Sequence, residues 1–306
     1  EIIASLRKLK QRGYILALDD FVMADKYRPI LGLVDIVKLE LPEMNDETLK
    51  KTITTLKQYD VKLLAEKIET PEEFKKCFEL GCDLFQGYFL CKPEIVRGKK
   101  IAASKMTIIN LISEIQAPDI DMDDLTKVIS RDPALSFKLL KLINSAAFKR
   151  SNTIESIHKA VTLLGIDKIK SWASLLALSK LNDKPESLHY VALVRALMCE
   201  KLSEYIQPNA KELFYTVGLL SCLAAFFDQS IESIIEHISL DSSIEDALLN
   251  LQGSAGMALD TTIHFEQSEW HKLNWQKLGI FGLNAKLVHK IYFDSSRLAM
   301  ELSADS

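Results

Sequence analysis

In the first third of the chain, acid, base and amide side chains stand where apolar runs end. The run from Tyr14 closes on Asp19 and Asp20, and the run from Asp35 closes on Lys38. The run from Lys62 carries Glu66 and Glu69, and the run from Leu84 carries Gln86. Carboxylates hold divalent ions or move protons, a lysine neutralises a developing anion, and an amide orients a base or a water. For such groups to act together, the ends of successive strands must lie side by side. A parallel βα barrel does this, because its working residues sit at the C-terminal ends of its strands.

The segments between these runs have helical spacing. Ile3, Leu6 and Leu9 mark one face of a helix over residues 2–12, which Gly13 should stop. A second helix is expected over 46–59. A third opens at Thr70 with a hydroxyl cap, Pro71 in its first turn and Glu72 and Glu73 nearby, and ends at Gly81. Three crossovers joining four strands fit βαβ units. Near Lys92 and Pro93 the character changes. Beyond Ile101 no alternating strand pattern occurs, and amphipathic helices are expected over 106–115, 122–130, 133–144, 154–164 and 167–181. The domain boundary is placed near residue 100, giving a barrel-derived segment over 1–100 and a helical domain with a C-terminal extension over 101–306.

The bulk properties exclude more than they assign. The 306 residues are 48% hydrophobic, enough for two cores, and carry a formal net charge of -4, which offers no electrostatic case for binding nucleic acid. The five cysteines include no CxxC pair, so neither a disulfide framework nor a zinc ribbon is indicated, and a cytoplasmic setting is expected. No run approaches the ~18 consecutive apolar residues of a membrane span. The chain opens without methionine in mid-pattern, and a piece of a longer protein is expected.

Four motifs in order carry a family resemblance. Asp19, Asp20 and Phe21 match a metal-binding DDF motif, and Lys38 matches the lysine of an IKxD-like strand. The run Ala65 to Thr70 matches AEGVET, and Gln86, Gly87 and Tyr88 with Lys92 and Pro93 match QGY and KP. Residues 13–93 thus resemble the C-terminal half of an EAL domain, the βα barrel that hydrolyses cyclic di-GMP. Residues 106–181 resemble an HDOD domain, a helical output module related to HD-type hydrolases. The match is carried by Ile129 to Phe148, with Arg131, Asp132, Pro133, Leu135, Asn144 and Ser145, and by Ile157 to Gly165. The pair in this order resembles bacterial EAL-HDOD signalling proteins, and Phe214 to Phe227 resembles the tail of that class.

The resemblance also defines departures. The family's remaining ligands, the glutamate of the EAL triplet, an asparagine and a further glutamate, are not found here. After Phe21 the family has a glycine-rich loop, whereas Val22, Met23, Ala24, Asp25 and Lys26 stand in this chain. Taken singly, Asp19 and Asp20 read as a solvated strand end, Lys38 as the partner of a carboxylate, and Glu66 and Glu69 as loop caps. Taken together in family order, they read as descent from an active site. In the helical half, Ser221 and Cys222 stand where HD hydrolases carry a His-Asp metal pair. His189 is the one histidine near a first-ligand position, and no His-x3-His pair occurs. Trp172, Cys199 and Cys222 read as core, Asp132 as a helix cap, and Lys138, Lys141, Lys149 and Arg150 as a solvated basic face.

The resemblance therefore implies a catalytically degenerate signal-transduction protein that acts through protein-protein interaction. Its vestigial catalytic candidates are Lys38, Glu69 and Gln86, and its vestigial metal candidates are Asp19, Asp20 and Glu66. No cofactor is expected. Mg²⁺ or Mn²⁺ enters only on the rival reading, a cyclic di-GMP phosphodiesterase seen as a fragment. A non-hydrolysing cyclic di-GMP sensor is the third alternative. Expected partners are other bacterial signalling proteins in pathways such as motility or surface attachment, with cyclic di-GMP binding and self-association left open. Half a barrel leaves strand edges at Tyr14 and near Phe85, to be covered by further sequence or by a partner.

Overall fold

The computed structural model describes residues 2–19, 21, 27–87, 101–144, 154–181 and 183–304. The chain divides into two compact units, residues 1–90 and 91–306. In the first, four parallel strands, β1 (Ala17–Leu18), β2 (Ile36–Glu40), β3 (Lys62–Glu66) and β4 (Leu84–Phe85), lie side by side in chain order. The helices are α1 (Ile2–Gln11), α2 (Arg28–Leu31), α3 (Asp46–Leu56) and α4 (Pro71–Leu80). The sequence did not anticipate α2, a single turn opened by Pro29.

Side-chain alternation decides the two faces of the sheet. Val37 and Leu39 on β2 and Leu63 and Ala65 on β3 are buried with Leu49, Ile53 and Leu56 of α3 and Cys77 of α4. Lys38, Glu40, Leu64 and Glu66 take the opposite face, and Glu40 and Glu66 are in register across β2 and β3. At the other end of the strands a device recurs. Asp35 donates its N–H to the Leu16 carbonyl (2.8 Å), and its carboxylate accepts the Leu16 N–H (2.9 Å). Asp83 does the same to Leu63, at 2.9 and 2.8 Å. Each aspartate closes both main-chain groups of a residue on the preceding strand segment, and so fixes where the pairing begins.

The caps form as their residues dictate. Asn45 caps α3, Thr70 and Glu73 form a capping box on α4, and Gly81 ends α4 at φ +90°. By contrast, α1 buries none of its residues, and Tyr14 and Ile15 are exposed.

The second unit is helical throughout its described residues. Its helices are α5 (Ala103–Gln116), α6 (Met122–Ser130), α7 (Pro133–Ile143), α8 (Ile157–Leu164), α9 (Ile166–Leu178), α10 (Glu186–Ile206), α11 (Lys211–Leu220), α12 (Leu223–Phe227), α13 (Ile231–Ile235), α14 (Ser242–Asn250), α15 (Gly253–Glu266), α16 (Trp275–Gly279) and α17 (Ala285–Ala304). The central helix α10 packs on α11, α15 and α17, and α9 packs on α5, α7, α8 and α11. One continuous core runs from Ile108 to Leu302 and includes Trp172, Cys199 and Cys222. The sequence pattern places the start of α8 at Ile154. Instead, residues 154–156 are non-helical, because Asn144 holds Ile154 through two main-chain bonds of 2.8 Å and Ser156 caps the helix. Within Pro208–Phe227 an 18-residue stretch of mean hydropathy 1.4 is long and apolar enough to cross a membrane, yet 67% of that stretch is buried inside the fold.

Candidate functional site

Three of the sequence candidates meet at the C-terminal ends of β1, β2 and β3. The Lys38 ammonium lies 2.8 Å from Asp19 Oδ1 and 2.8 Å from Glu66 Oε1. Its position follows from the strand period, which turns Lys38 away from the core that holds Val37 and Leu39. Glu66 is buried, Lys38 is half-buried and Asp19 is exposed, so the ion pairs run from the sheet outward. Burial alone would lower the pKa of Lys38. The hydrogen bonds and charges of Asp19 and Glu66 outweigh it and hold the ammonium above its ordinary value.

A second lysine forms an ion pair on this face. Lys67 pairs with Glu40, the register neighbour of Glu66. Its φ is +56°, the left-handed conformation that the glycine of AEGVET would adopt at no steric cost. Neither residue is among the sequence candidates. Glu40 was legible, since it stands two positions after Lys38 and must share its face of the strand.

Glu69 and Gln86 are exposed and are placed by main-chain bonds. The Glu69 N–H donates to Glu73 (2.8 Å), and the Gln86 carbonyl accepts from Ile68 (3.1 Å) while its N–H donates to Ala65 (2.8 Å). Gly87 is required by close approach, because a Cβ there would stand 2.0 Å from the Ile68 carbonyl oxygen. Asp20, the loop 22–26, Tyr88, Cys91, Lys92 and Pro93 lie outside the described residues, as do Ser145, Phe148, Lys149 and Arg150.

As a metal site, the described donors fit poorly. Two-metal hydrolysis needs open carboxylate oxygens around each ion. Here Asp19 and Glu66 share a lysine ammonium, and among the described residues no group of three or more His, Cys, Asp or Glu side chains is placed to hold an ion.

In the helical unit, Ser221 and Cys222 stand where the resemblance in the sequence expects a His-Asp pair. Ser221 Oγ donates to the Gly218 carbonyl (2.7 Å) and accepts from Arg195 Nη1 (3.3 Å). Arg195, buried on α10, also grips Glu266 of α15 through Nε (2.8 Å) and Nη2 (2.9 Å). Burial pushes the Cys199 thiol up to about 12 and raises Cys222 as well, so both are inert thiols. His189 has one ring nitrogen 3.3 Å from the Pro185 carbonyl and the other 3.2 Å from the Leu178 carbonyl, which leaves it placed as a bridge between α9 and α10. Asp132 caps α7 through Leu135 (3.0 Å) and also pairs with Lys180.

Comparison with known proteins agrees with this two-part arrangement. Residues 1–93 match the EAL domain and residues 102–233 the HDOD domain. The cyclic di-GMP phosphodiesterase CdgJ of Vibrio cholerae serotype O1 is 30% identical over 307 residues, covering 99% of this chain and 71% of CdgJ. The chain belongs to the EAL-HDOD family. The uncharacterized protein YuxH of Bacillus subtilis strain 168 is 29% identical over 278 residues, covering 88% of this chain and 68% of YuxH. The HDOD match ends at residue 233, yet the core of this EAL-HDOD chain continues through α14, α15 and α17. Arg195 lies inside the matched region and Glu266 outside it. No local sequence signal joins two residues 71 positions apart.

Proposed function

We propose that this chain is a cyclic di-GMP-linked signalling protein whose EAL segment does not hydrolyse the dinucleotide and whose HDOD unit acts by binding other proteins. The observation that carries this reading is the Lys38 ammonium held between Asp19 and Glu66. A divalent ion would have to displace that ammonium to gain the two carboxylates, and Lys67 competes in the same way for Glu40. The Arg195 guanidinium beside Ser221 supports the same conclusion for the HDOD unit, since the charge there belongs to a side chain already satisfied by Glu266.

On this reading the first hundred residues are a portion of an EAL-type βα barrel. The four parallel strands in chain order favour it, with helices over one face and Lys38, Glu40 and Glu66 on the other. The partners are other signalling proteins of a bacterial cytoplasm. The name of CdgJ favours a second reading, hydrolysis of cyclic di-GMP, in which Asp19, Asp20 and Glu66 hold Mg²⁺ or Mn²⁺ and Lys38, Glu69 and Gln86 serve the reaction.

Titration of the chain with cyclic di-GMP in the presence of Mg²⁺ or Mn²⁺, with analysis of the same samples for the linear dinucleotide, separates the two. The expected result is no linear product. Product that disappears on Asp19→Ala would establish the phosphodiesterase reading, and binding without product would mark a non-hydrolysing sensor.

A further inference from the structure

Two thiols meet at the C-terminal end of α4, apart from the Lys38 cluster. The end of this helix has the two main-chain bonds of a Schellman motif: the Cys82 N–H donates to the Cys77 carbonyl (3.0 Å), and the Gly81 N–H donates to the Phe78 carbonyl (3.0 Å). Such a motif places an apolar residue of the last turn against the residue that follows the left-handed glycine. Here both positions are cysteine. Cys77 is fully buried and Cys82 is 6% exposed, and the main-chain bond between them sets the two side chains side by side beneath the end of α4.

The pair is chemically unequal. The hydrogen bond from Cys82 holds the Cys77 thiol below its ordinary value. The same bond, followed by burial, pushes Cys82 upward. These directions make Cys77 the first nucleophile of the pair.

We propose that Cys77 and Cys82 form a two-electron redox site, closing to an intramolecular disulfide on reaction with a hydroperoxide. The Cys77 thiolate attacks one peroxide oxygen and the O–O bond breaks. Hydroxide leaves, taking up the thiol's proton as water, and Cys77 is left as a sulfenic acid. The Cys82 sulfur then attacks the Cys77 sulfur. The S–S bond forms, the S–OH bond breaks, and the hydroxide departs with the Cys82 proton as a second water. In sum, two thiols and hydrogen peroxide give one disulfide and two waters. Burial of Cys77 makes the reaction depend on transient opening of the last turn of α4. The cross-link then fixes the corner from which Asp83 and β4 leave, and Asp83 is the residue that closes on Leu63 of β3.

The test uses the full chain carrying Cys91→Ser, so that the tryptic peptide beginning at Cys77 holds only this pair of thiols. The folded chain is treated with hydrogen peroxide, quenched with N-ethylmaleimide and mapped by mass spectrometry, with circular dichroism before and after. The expected peptide is lighter by two hydrogens, takes no maleimide, and regains both labels after dithiothreitol while the dichroism stays unchanged. In Cys82→Ser the reaction stops at the sulfenic acid, and dimedone labels position 77. Full labelling of both thiols by maleimide would overturn the proposal. So would a disulfide to Cys199 or Cys222, a link formed only once helical dichroism is lost, or absence of dimedone from position 77 in Cys82→Ser.

Discussion

Arg195 and Glu266 face each other with two parallel hydrogen bonds, Nε to Oε2 at 2.8 Å and Nη2 to Oε1 at 2.9 Å, joining α10 to α15 inside the helical core. Forked pairing of this kind satisfies both carboxylate oxygens at once. Arg195→Met leaves the Glu266 carboxylate in place with no cation, and the expected cost is about 3–5 kcal/mol. The double variant Arg195→Met with Glu266→Leu removes both charges and is expected to recover most of it. Urea midpoints of the three chains measure this, and equal destabilisation in the single and double variants would refute the pairing.

The same pair predicts the extent of the HDOD unit. Phe265, Leu259 and Ile244 belong to one core with Phe214 and Leu197. A chain cut after Ser233 exposes that core and removes Glu266 from Arg195, so it should lose its cooperative thermal transition. A sharp unfolding transition in the truncated chain would show that α14 to α17 are accessory.

Lys38 should leave an alkaline signature. Its folded pKa lies above its unfolded value, so the stability it contributes is complete below the unfolded pKa, about 10.4, and is lost as pH rises through the folded value. Lys38→Met leaves Glu66 without its ammonium at an expected cost of about 1–3 kcal/mol near neutrality. The gap between the two chains in thermal melts should hold to about pH 10 and then close. A gap unchanged into stronger alkali would show that the charge of Lys38 is not what stabilises.

Asp132 should behave in the opposite sense. The Lys180 ammonium, and next the Leu135 N–H, hold its carboxyl below the usual carboxylate range. Its contribution is present above the unfolded value, about 3.9, and is lost as pH falls through the lower folded value. Asp132→Ala removes cap and ion pair together and should cost about 1–2 kcal/mol at pH 7. Urea melts taken from pH 6 down to strong acid should show the gap between variant and parent vanishing.

Two helical glycines should respond to alanine with opposite signs. At Gly218 an added Cβ would meet main-chain atoms of α10, 2.5 Å from the Arg195 carbonyl oxygen and 2.8 Å from the Ala196 Cα. The clash outweighs the gain of about 1 kcal/mol in helix propensity, and Gly218→Ala should destabilise by about 1–3 kcal/mol. At Gly279, the last residue of α16, nothing lies within 4 Å, and Gly279→Ala should stabilise by about 0.4–1 kcal/mol. Calorimetric midpoints moving in the same direction would contradict the account.

What the sequence determined by itself is local in origin. The hydroxyl cap at Thr70, the glycine stops at Gly13 and Gly81 and the cap at Asp132 each depend on side chains a few residues apart, and all are found where the sequence placed them. Strand period alone turned Lys38 and Glu40 to one face of β2. Which groups touch was decided by tertiary structure. The bridge from Lys38 to both Asp19 and Glu66 depends on strand register. The meeting of Lys67 with Glu40, of two aspartates with the strands before them, and of Arg195 with Glu266 depends on how close folded segments come. Local propensity is written residue by residue, whereas partnership between distant charges is settled only when packing brings folded segments together and removes water from between them.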